Sequence, residues 1–538
     1  MQLALELLAA EIETLGGYMT SLGRQITCCA MLVGLSLPAL SAGAAATSCA
    51  ALKNFKLAGY AVEIQKVQEV PAGPMAAAPG GPPGPPTILP AHCRVDGTLD
   101  KRIGRNGKPY AIAFAVALPT QWSGRFYFQG GGGLNGVLIP PTGARFAGDA
   151  SALAQGFAVV STDSGHVGTG FDASFLDDQE AALNFLYQAN AKVTVVAKEI
   201  VARRYGKPAD HSYFVGCSTG GREAMMMSQR FPDYFDGIVA GAPATRTGYS
   251  NLALRWASTA LNQVAPKDEQ GRPQTRLALS DSDRKLVVDG LLASCDALDG
   301  QKDGLIFATK SCNFDPAVLA CNGAKAEGCL SPGQVAAVKK AMSGPQTASG
   351  RQVYPGYYYD TGIINTRGLP GMLVGPVIPE GPASTATMDV DAAAAAAHDG
   401  RSMAGDTNAW TNLSSFEGRG GKLIFFHGVS DPWFSAQETV QYYGRLEHDT
   451  GAAPVTDWSR LFLVPGMGHC GGGDRTLDQF NMLNAIVAWV EQKRAPERVV
   501  ATGTSMPGIS RPLCPYPRHA QYSGSGDVNT AASYSCSE

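Results

Sequence analysis

Three short motifs carry a hydroxyl, a carboxylate and an imidazole in an order that suits nucleophilic acyl transfer. Gly216-Cys217-Ser218-Thr219-Gly220-Gly221-Arg222 contains G-x-S-x-G, follows a strand-like run and precedes a helical one. A serine on so tight a strand-to-helix turn needs neighbours without a Cβ, and the turn lifts its hydroxyl clear of a sheet. The helix start behind it would aim N–H groups at a developing oxyanion. Ser218 is the expected nucleophile. Its proton needs a base, and the base needs an acid to hold its tautomer. In such chains the order is serine, acid, histidine, on loops after later strands. Strand-like Lys422–Phe426 runs into His427-Gly428-Val429-Ser430-Asp431, and Leu461–Val464 runs into Pro465-Gly466-Met467-Gly468-His469-Cys470. Asp431 and His469 are therefore the expected acid and base. His427 precedes the acid while the chain is still leaving its strand, and His166 is expected to line a pocket.

An oxyanion needs two N–H donors. Thr219 should supply one, and the glycine run after Gln129 the other, from Gly132 or Gly133; spacing does not separate them. A flexible loop is the competing reading of that run.

Twelve cysteines are present. Cys28 and Cys29 fall in an N-terminal segment expected to be removed, and the remaining ten, an even number, imply disulfides in an exported chain. Nearness in sequence pairs 49–93, 295–312, 321–329 and 514–536. Cys217 and Cys470 are left over, and they flank Ser218 and His469. Assembly of the triad would bring them together. Asp296, Asp299 and Asp303 lie among glycines in a loop whose hard oxygens suit Ca²⁺. From spacing alone, a solvated Asp/Gly turn explains them equally well.

The elements that must position these groups alternate. Strands are expected at 110–118, 125–128, 157–161, 212–215, 237–241, 422–426 and 461–464, and helices at 181–204, 223–230, 437–446 and 480–491. This pattern predicts an α/β-hydrolase core with a mostly parallel sheet. It dissolves between about 246 and 418, which predicts an insertion acting as a lid. The expected divisions are a secretion signal at 1–46, core at 47–245, insertion at 246–418 and core at 419–538. Arg24, the apolar run 26–40 and Ala44-Ala45-Ala46 make up that signal, with Met19 an alternative start. Residues 71–90, rich in Pro and Gly, read as a surface loop. A net charge of -3 offers no basic field for nucleic acid, and no membrane partner is expected once the signal is gone.

G-C-S-x-G-G-R, H-G-x-x-D and G-M-x-H-C together resemble the tannase and feruloyl esterase family, across nearly the whole mature chain. The resemblance extends to C-D-A-x-D-G-x-x-D-G and the C-terminal R-P-L-C-P-Y-P. It implies a secreted serine esterase acting on small aromatic esters, with a hydroxycinnamate, gallate or terephthalate monoester as acyl donor. It also implies paired Cys217 and Cys470, and structural Ca²⁺ held by Asp296, Asp299, Asp303 and the carbonyls of Gln301 and Leu305. Stretches 213–243 and 461–472 are most similar to the branch that hydrolyses mono(2-hydroxyethyl) terephthalate. That implies that Phe434 packs on the substrate ring. Tyr357, Tyr358 and Trp410 are further candidates for ring contacts.

Overall fold

The computed structural model describes residues 46–75, 88–375, 385–398, 400–450 and 454–538. Residues 1–45 of the expected secretion signal, and 76–87 of the Pro/Gly segment, lie outside the described residues.

Among the described residues nine strands form one sheet: β1 (Val62–Val70), β2 (His92–Ile103), β3 (Pro109–Pro119), β4 (Arg125–Gln129), β5 (Ala158–Thr162), β6 (His211–Cys217), β7 (Gly237–Gly241), β8 (Lys422–Gly428) and β9 (Ser459–Val464). Their order is β1-β2-β3-β5-β4-β6-β7-β8-β9. The pairs among β1, β2, β3 and β5 are antiparallel. From β5 through β4 to β9 every pair is parallel. The parallel strands are buried on both sides and correspondingly apolar, as in Tyr213-Phe214-Val215 and Ile424-Phe425-Phe426. The antiparallel β1 and β2 were not anticipated from sequence, because their alternation is broken by charged residues such as Glu63, Lys66 and Asp100.

Helices cover both faces. On one lie α1 (Ala189–Tyr205) and α2 (Thr219–Arg230), whose Val193, Ile200, Met225 and Met227 pack against Phe128 and Phe214. The helix expected at 181–204 begins as a short α-turn, Gln179–Leu183, passes through a π-helical turn, Asn184–Gln188, and ends at Gly206 with φ +76°. The other face is filled from the C-terminal part of the chain, where Ile486 and Trp489 meet Tyr213 and Val239.

Residues 247–418 are more helical than their composition suggested. They supply α3 (Thr247–Asn262), α4 (Asp281–Cys295), α5 (Pro332–Ser343) and α6 (Val390–Ala397). The first three enclose a separate apolar cluster containing Leu254, Val287, Leu291, Val338 and Tyr354. Capping boxes start α4 at Ser280 with Asp283, and α5 at Ser331 with Gln334. Two core helices follow, α7 (Ala436–Asp449) and α8 (Met482–Gln492).

Among the described residues five disulfides are present: Cys49–Cys93, Cys217–Cys470, Cys295–Cys312, Cys321–Cys329 and Cys514–Cys536. All five pairings match the expectation. Among the described residues no helix is long and apolar enough to cross a membrane.

Candidate active site

Parallel register brings the carboxyl ends of β4, β6, β8 and β9 to one edge of the sheet, where ligands of open α/β sheets collect. The loops leaving those ends carry Gly130–Gly133, Ser218, Asp431 and His469.

Ser218 sits between β6 and α2 with φ +65° and ψ −125°, a strained conformation for a residue bearing a side chain. Its glycines are sterically required. A Cβ on Gly216 would come within 2.4 Å of the Gly220 carbonyl oxygen, and one on Gly220 within 2.6 Å of that of Gly131. The Ser218 hydroxyl donates to His469 Nε2 at 2.8 Å, and His469 Nδ1 donates to Asp431 Oδ2 at 2.7 Å. The three expected groups thus meet in one hydrogen-bonded chain.

Asp431 is fully buried. Its Oδ1 accepts the N–H groups of Trp433 and Phe434 at 2.9 and 3.1 Å. Burial alone would raise this carboxyl, but the charge of and hydrogen bonds from His469 and His427 outweigh it and hold Asp431 below the usual carboxylate range. His427 has 0% exposure; its Nε2 lies 2.9 Å from the Phe434 carbonyl oxygen and 3.4 Å from Asp431 Oδ2, and its Nδ1 lies 2.8 Å from the Thr439 hydroxyl. Both nitrogens are committed, so His427 braces the acid loop and cannot serve Ser218. His166 is likewise no pocket wall. It is buried, stacked on Phe175 at 3.6 Å, and pushed down to about 4 by burial.

Among the described residues the N–H groups of Thr219, Gly132 and Gly133 have no protein acceptor, whereas those of Gly130 and Gly131 are taken by the Val215 carbonyl and the Glu223 carboxylate. Gly132 borders open space, since a Cβ there would meet nothing within 4 Å. A Cβ on Gly133 would lie 3.1 Å from the Gly170 carbonyl oxygen.

Two residues that brace this site were missed. Glu223, fully buried on α2, accepts Gly131 N–H at 2.9 Å and Asn135 Nδ2 at 2.7 Å, gripping the glycine loop at two points. The Thr219 hydroxyl also donates to the Gly133 carbonyl. Asp360, from the 247–418 segment and 1% exposed, accepts the Ser430 hydroxyl and the Gly466 N–H on one oxygen, each at 2.6 Å. It therefore ties the acid loop to the base loop. The sequence signal for Glu223 was a lone carboxylate on a Met-rich helix. Asp360 has no local signal at all.

Phe434 is 3% exposed, with its ring 5.2 Å from the His469 ring and parallel to Trp433 at 5.6 Å. Buried Tyr357 faces the charge of Asp431, and burial pushes its hydroxyl well up. Tyr358 faces Tyr516, and half-exposed Trp410 accepts from Gln229 and Tyr442. Neither has a contact with the triad.

Among the described residues no three His, Cys, Asp or Glu side chains group as metal ligands. Asp296, Asp299 and Asp303 instead accept loop N–H groups from Gly304, Phe307 and Leu305 respectively. The donor set still has the chemistry of a hard-cation loop. Asp299 is 3% exposed and pushed up to about 7, by burial first and by repulsion from Asp303 and Asp296 besides. A carboxyl under that pressure favours a neighbouring positive charge. Arg511 pairs with Asp303, and the guanidinium of Arg475 binds its carbonyl oxygen.

The sequence matches the family described as "Tannase and feruloyl esterase" over residues 93–392 and 384–537. The chain belongs to the tannase and feruloyl esterase family. Family relatives include a mono(2-hydroxyethyl) terephthalate hydrolase from Piscinibacter sakaiensis, 40% identical, covering 83% of this chain and 85% of that protein. A probable feruloyl esterase B-1 from Aspergillus fumigatus is 33% identical, covering 78% and 81%. Among solved structures of the tannase and feruloyl esterase type, feruloyl esterase B from Aspergillus oryzae superposes with a TM-score of 0.74. It is 27% identical, covering 91% of this chain and 99% of that one.

Proposed function

We propose that the protein is a secreted serine esterase that hydrolyses carboxylic esters of aromatic acids of feruloyl or galloyl type. The chain is a carboxylic ester hydrolase by its family. The observation that carries the finer reading is the hydrogen-bonded run from Ser218 through His469 to Asp431.

His469 Nε2 takes the Ser218 proton as Oγ attacks the ester carbonyl carbon. The oxygen of the tetrahedral intermediate gains its charge between Thr219 N–H and Gly132 or Gly133 N–H, held in place by Glu223 and by the Thr219 hydroxyl. The carbon–oxygen bond to the alcohol breaks, and His469 returns its proton to the departing alkoxide. Water then gives a proton to His469 and attacks the acyl carbon; the acyl–Oγ bond breaks and His469 passes the proton to Oγ, which frees the acid and restores Ser218. Asp431 stays ionised throughout, so the imidazolium always has its counter-charge. Phe434, beside the base, supplies an apolar wall for an aromatic acyl group. The inserted segment 246–418 acts as a lid over this edge. Five disulfides support an oxidising destination, in line with secretion.

A second reading, hydrolysis of a terephthalate monoester, is favoured by the 40% identical relative. A panel of methyl ferulate, methyl gallate and mono(2-hydroxyethyl) terephthalate separates the two. Turnover confined to the first two supports the feruloyl or galloyl reading, and preference for the third supports the alternative. If the folded, oxidised protein leaves all three intact, the aromatic-ester reading fails.

Asp296, Asp299 and Asp303, with the carbonyls of Gln301 and Leu305, would hold Ca²⁺, which would cross-link the loop and take no part in turnover. With calcium at a hundredfold excess over its Kd, the stabilisation is about 2.7 kcal/mol. Chelation should lower the melting temperature and added Ca²⁺ should restore it, with Asp299→Asn insensitive to both. An unchanged melting curve after exhaustive chelation would remove the metal from the account.

A further inference from the structure

Four of the twelve large hydrophobic side chains exposed among the described residues stand on two neighbouring loops: Val137 and Ile139 on one, Val167 and Phe171 on the other. These loops are zipped together by Leu134 N–H to the Gly170 carbonyl, Gly136 N–H to that of Asp163, and Gly168 N–H to that of Gly136. They are also the loops that leave β4 and β5, so they flank the glycines of the candidate oxyanion hole. Val167 is 91% and Phe171 67% exposed. Exposing that much apolar surface has a cost, and such patches mark binding sites.

Phe171 connects the patch to the reacting centre. Its ring lies 5.4 Å from that of Trp433, which is parallel to Phe434 at 5.6 Å, and Phe434 in turn lies 5.2 Å from His469. Trp433 is held from behind, because its Nε1 donates to Asn251 Oδ1 on α3 at 2.9 Å. Phe171 also lies 3.9 Å from where a Cβ on Gly133 would be. An unbroken aromatic run therefore extends from the base to the rim.

We propose that the 134–139 and 167–171 loops form an outer subsite, with Phe171 tilted against Trp433 at its centre, for a second apolar group of the ester. The preferred occupant is an aryl or bulky alkyl group on the half of the substrate that points out of the site. Continuity with His469 argues for substrate over a second protein, since a group seated on Phe171 lies on the aromatic run that passes through Trp433 and Phe434 to the base. The inference rests on the esterase reading of the same centre.

The test compares methyl and benzyl esters of one aromatic acid in the full chain and in Phe171→Ala. Turnover is measured in both proteins, and binding in both with Ser218→Ala added. Phe171 is largely exposed, so its removal spares the core. The benzyl-to-methyl ratio should fall about three- to tenfold in turnover and in binding, the range of one lost aromatic contact, with Phe171→Leu intermediate. An unchanged ratio overturns the subsite. So does a change of mass by light scattering in Phe171→Ala, which would give the patch to a second copy of the chain. Selective loss of benzyl-ester binding without turnover in the wild type would keep the subsite and remove the esterase reading. Turnover of both esters with an unchanged ratio would do the reverse.

Discussion

Replacing Ser218 with alanine should lower kcat/KM for every ester the protein accepts by about 10⁴- to 10⁶-fold, the scale seen when a triad nucleophile is deleted. The loss would be confined to turnover. Ser218 already occupies its strained backbone conformation through its neighbours, with its N–H bound to the Gly241 carbonyl and its own carbonyl accepting from Arg222 and Ala244. Alanine keeps all three bonds and forfeits only the hydroxyl that donates to His469. Melting temperature and substrate binding should therefore stay near wild type, and steady-state kinetics beside a melting curve reads both. Residual activity within a hundredfold of wild type would mean that another group attacks the ester.

The second large effect belongs to the bridge between Cys217 and Cys470. It spans 253 residues and joins the neighbour of the nucleophile to the neighbour of the base. Closing so long a loop restricts the unfolded chain strongly, and removal of such a bridge costs about 3–5 kcal/mol. Its geometric consequence is larger. Cys470 has φ +61°, and its carbonyl accepts from Arg145 at 3.0 Å, so freeing it loosens the loop that aims His469. A misplacement near 1 Å costs about a hundredfold in rate. Cys217→Ala with Cys470→Ala should thus lose about a hundredfold in kcat together with a clear drop in melting temperature. Removing Cys321–Cys329, which spans 8 residues within the 247–418 segment, should leave kcat unaltered. Equal kcat in the two double variants would show that the first bridge serves stability alone.

The chemistry-bearing groups were legible because each depends on local sequence. Gly216 and Gly220 are needed where backbones nearly touch, and Asp431 and His469 follow apolar runs that can only be buried strands. The cysteine pairs followed from nearness and elimination, as confirmed by all five bridges. What escaped depends on distant partners. The carboxylate of Asp360 reaches Ser430 and Gly466, 70 and 106 residues away, and Glu223 reaches back 92 residues to Gly131. No spacing rule covers such contacts. The helices of 247–418 are a different case, since the capping boxes at Ser280 and Ser331 were present in the sequence. A composition heavy in Ala, Gly and Pro obscured them. β1 and β2 were lost because charged residues such as Glu63, Lys66 and Asp100 interrupt their apolar alternation.

We propose Ser218, activated by His469, as the group that attacks the ester. The most direct measurement is labelling with a fluorophosphonate, which transfers its phosphorus to an activated serine with loss of fluoride, followed by peptide mass spectrometry and assay of the remaining activity. The expected result is one phosphonyl group per chain, on Ser218, with esterase activity lost in proportion, and no labelling after His469→Ala. Full inactivation with the label on another residue, or turnover that persists once Ser218 is fully modified, would contradict it.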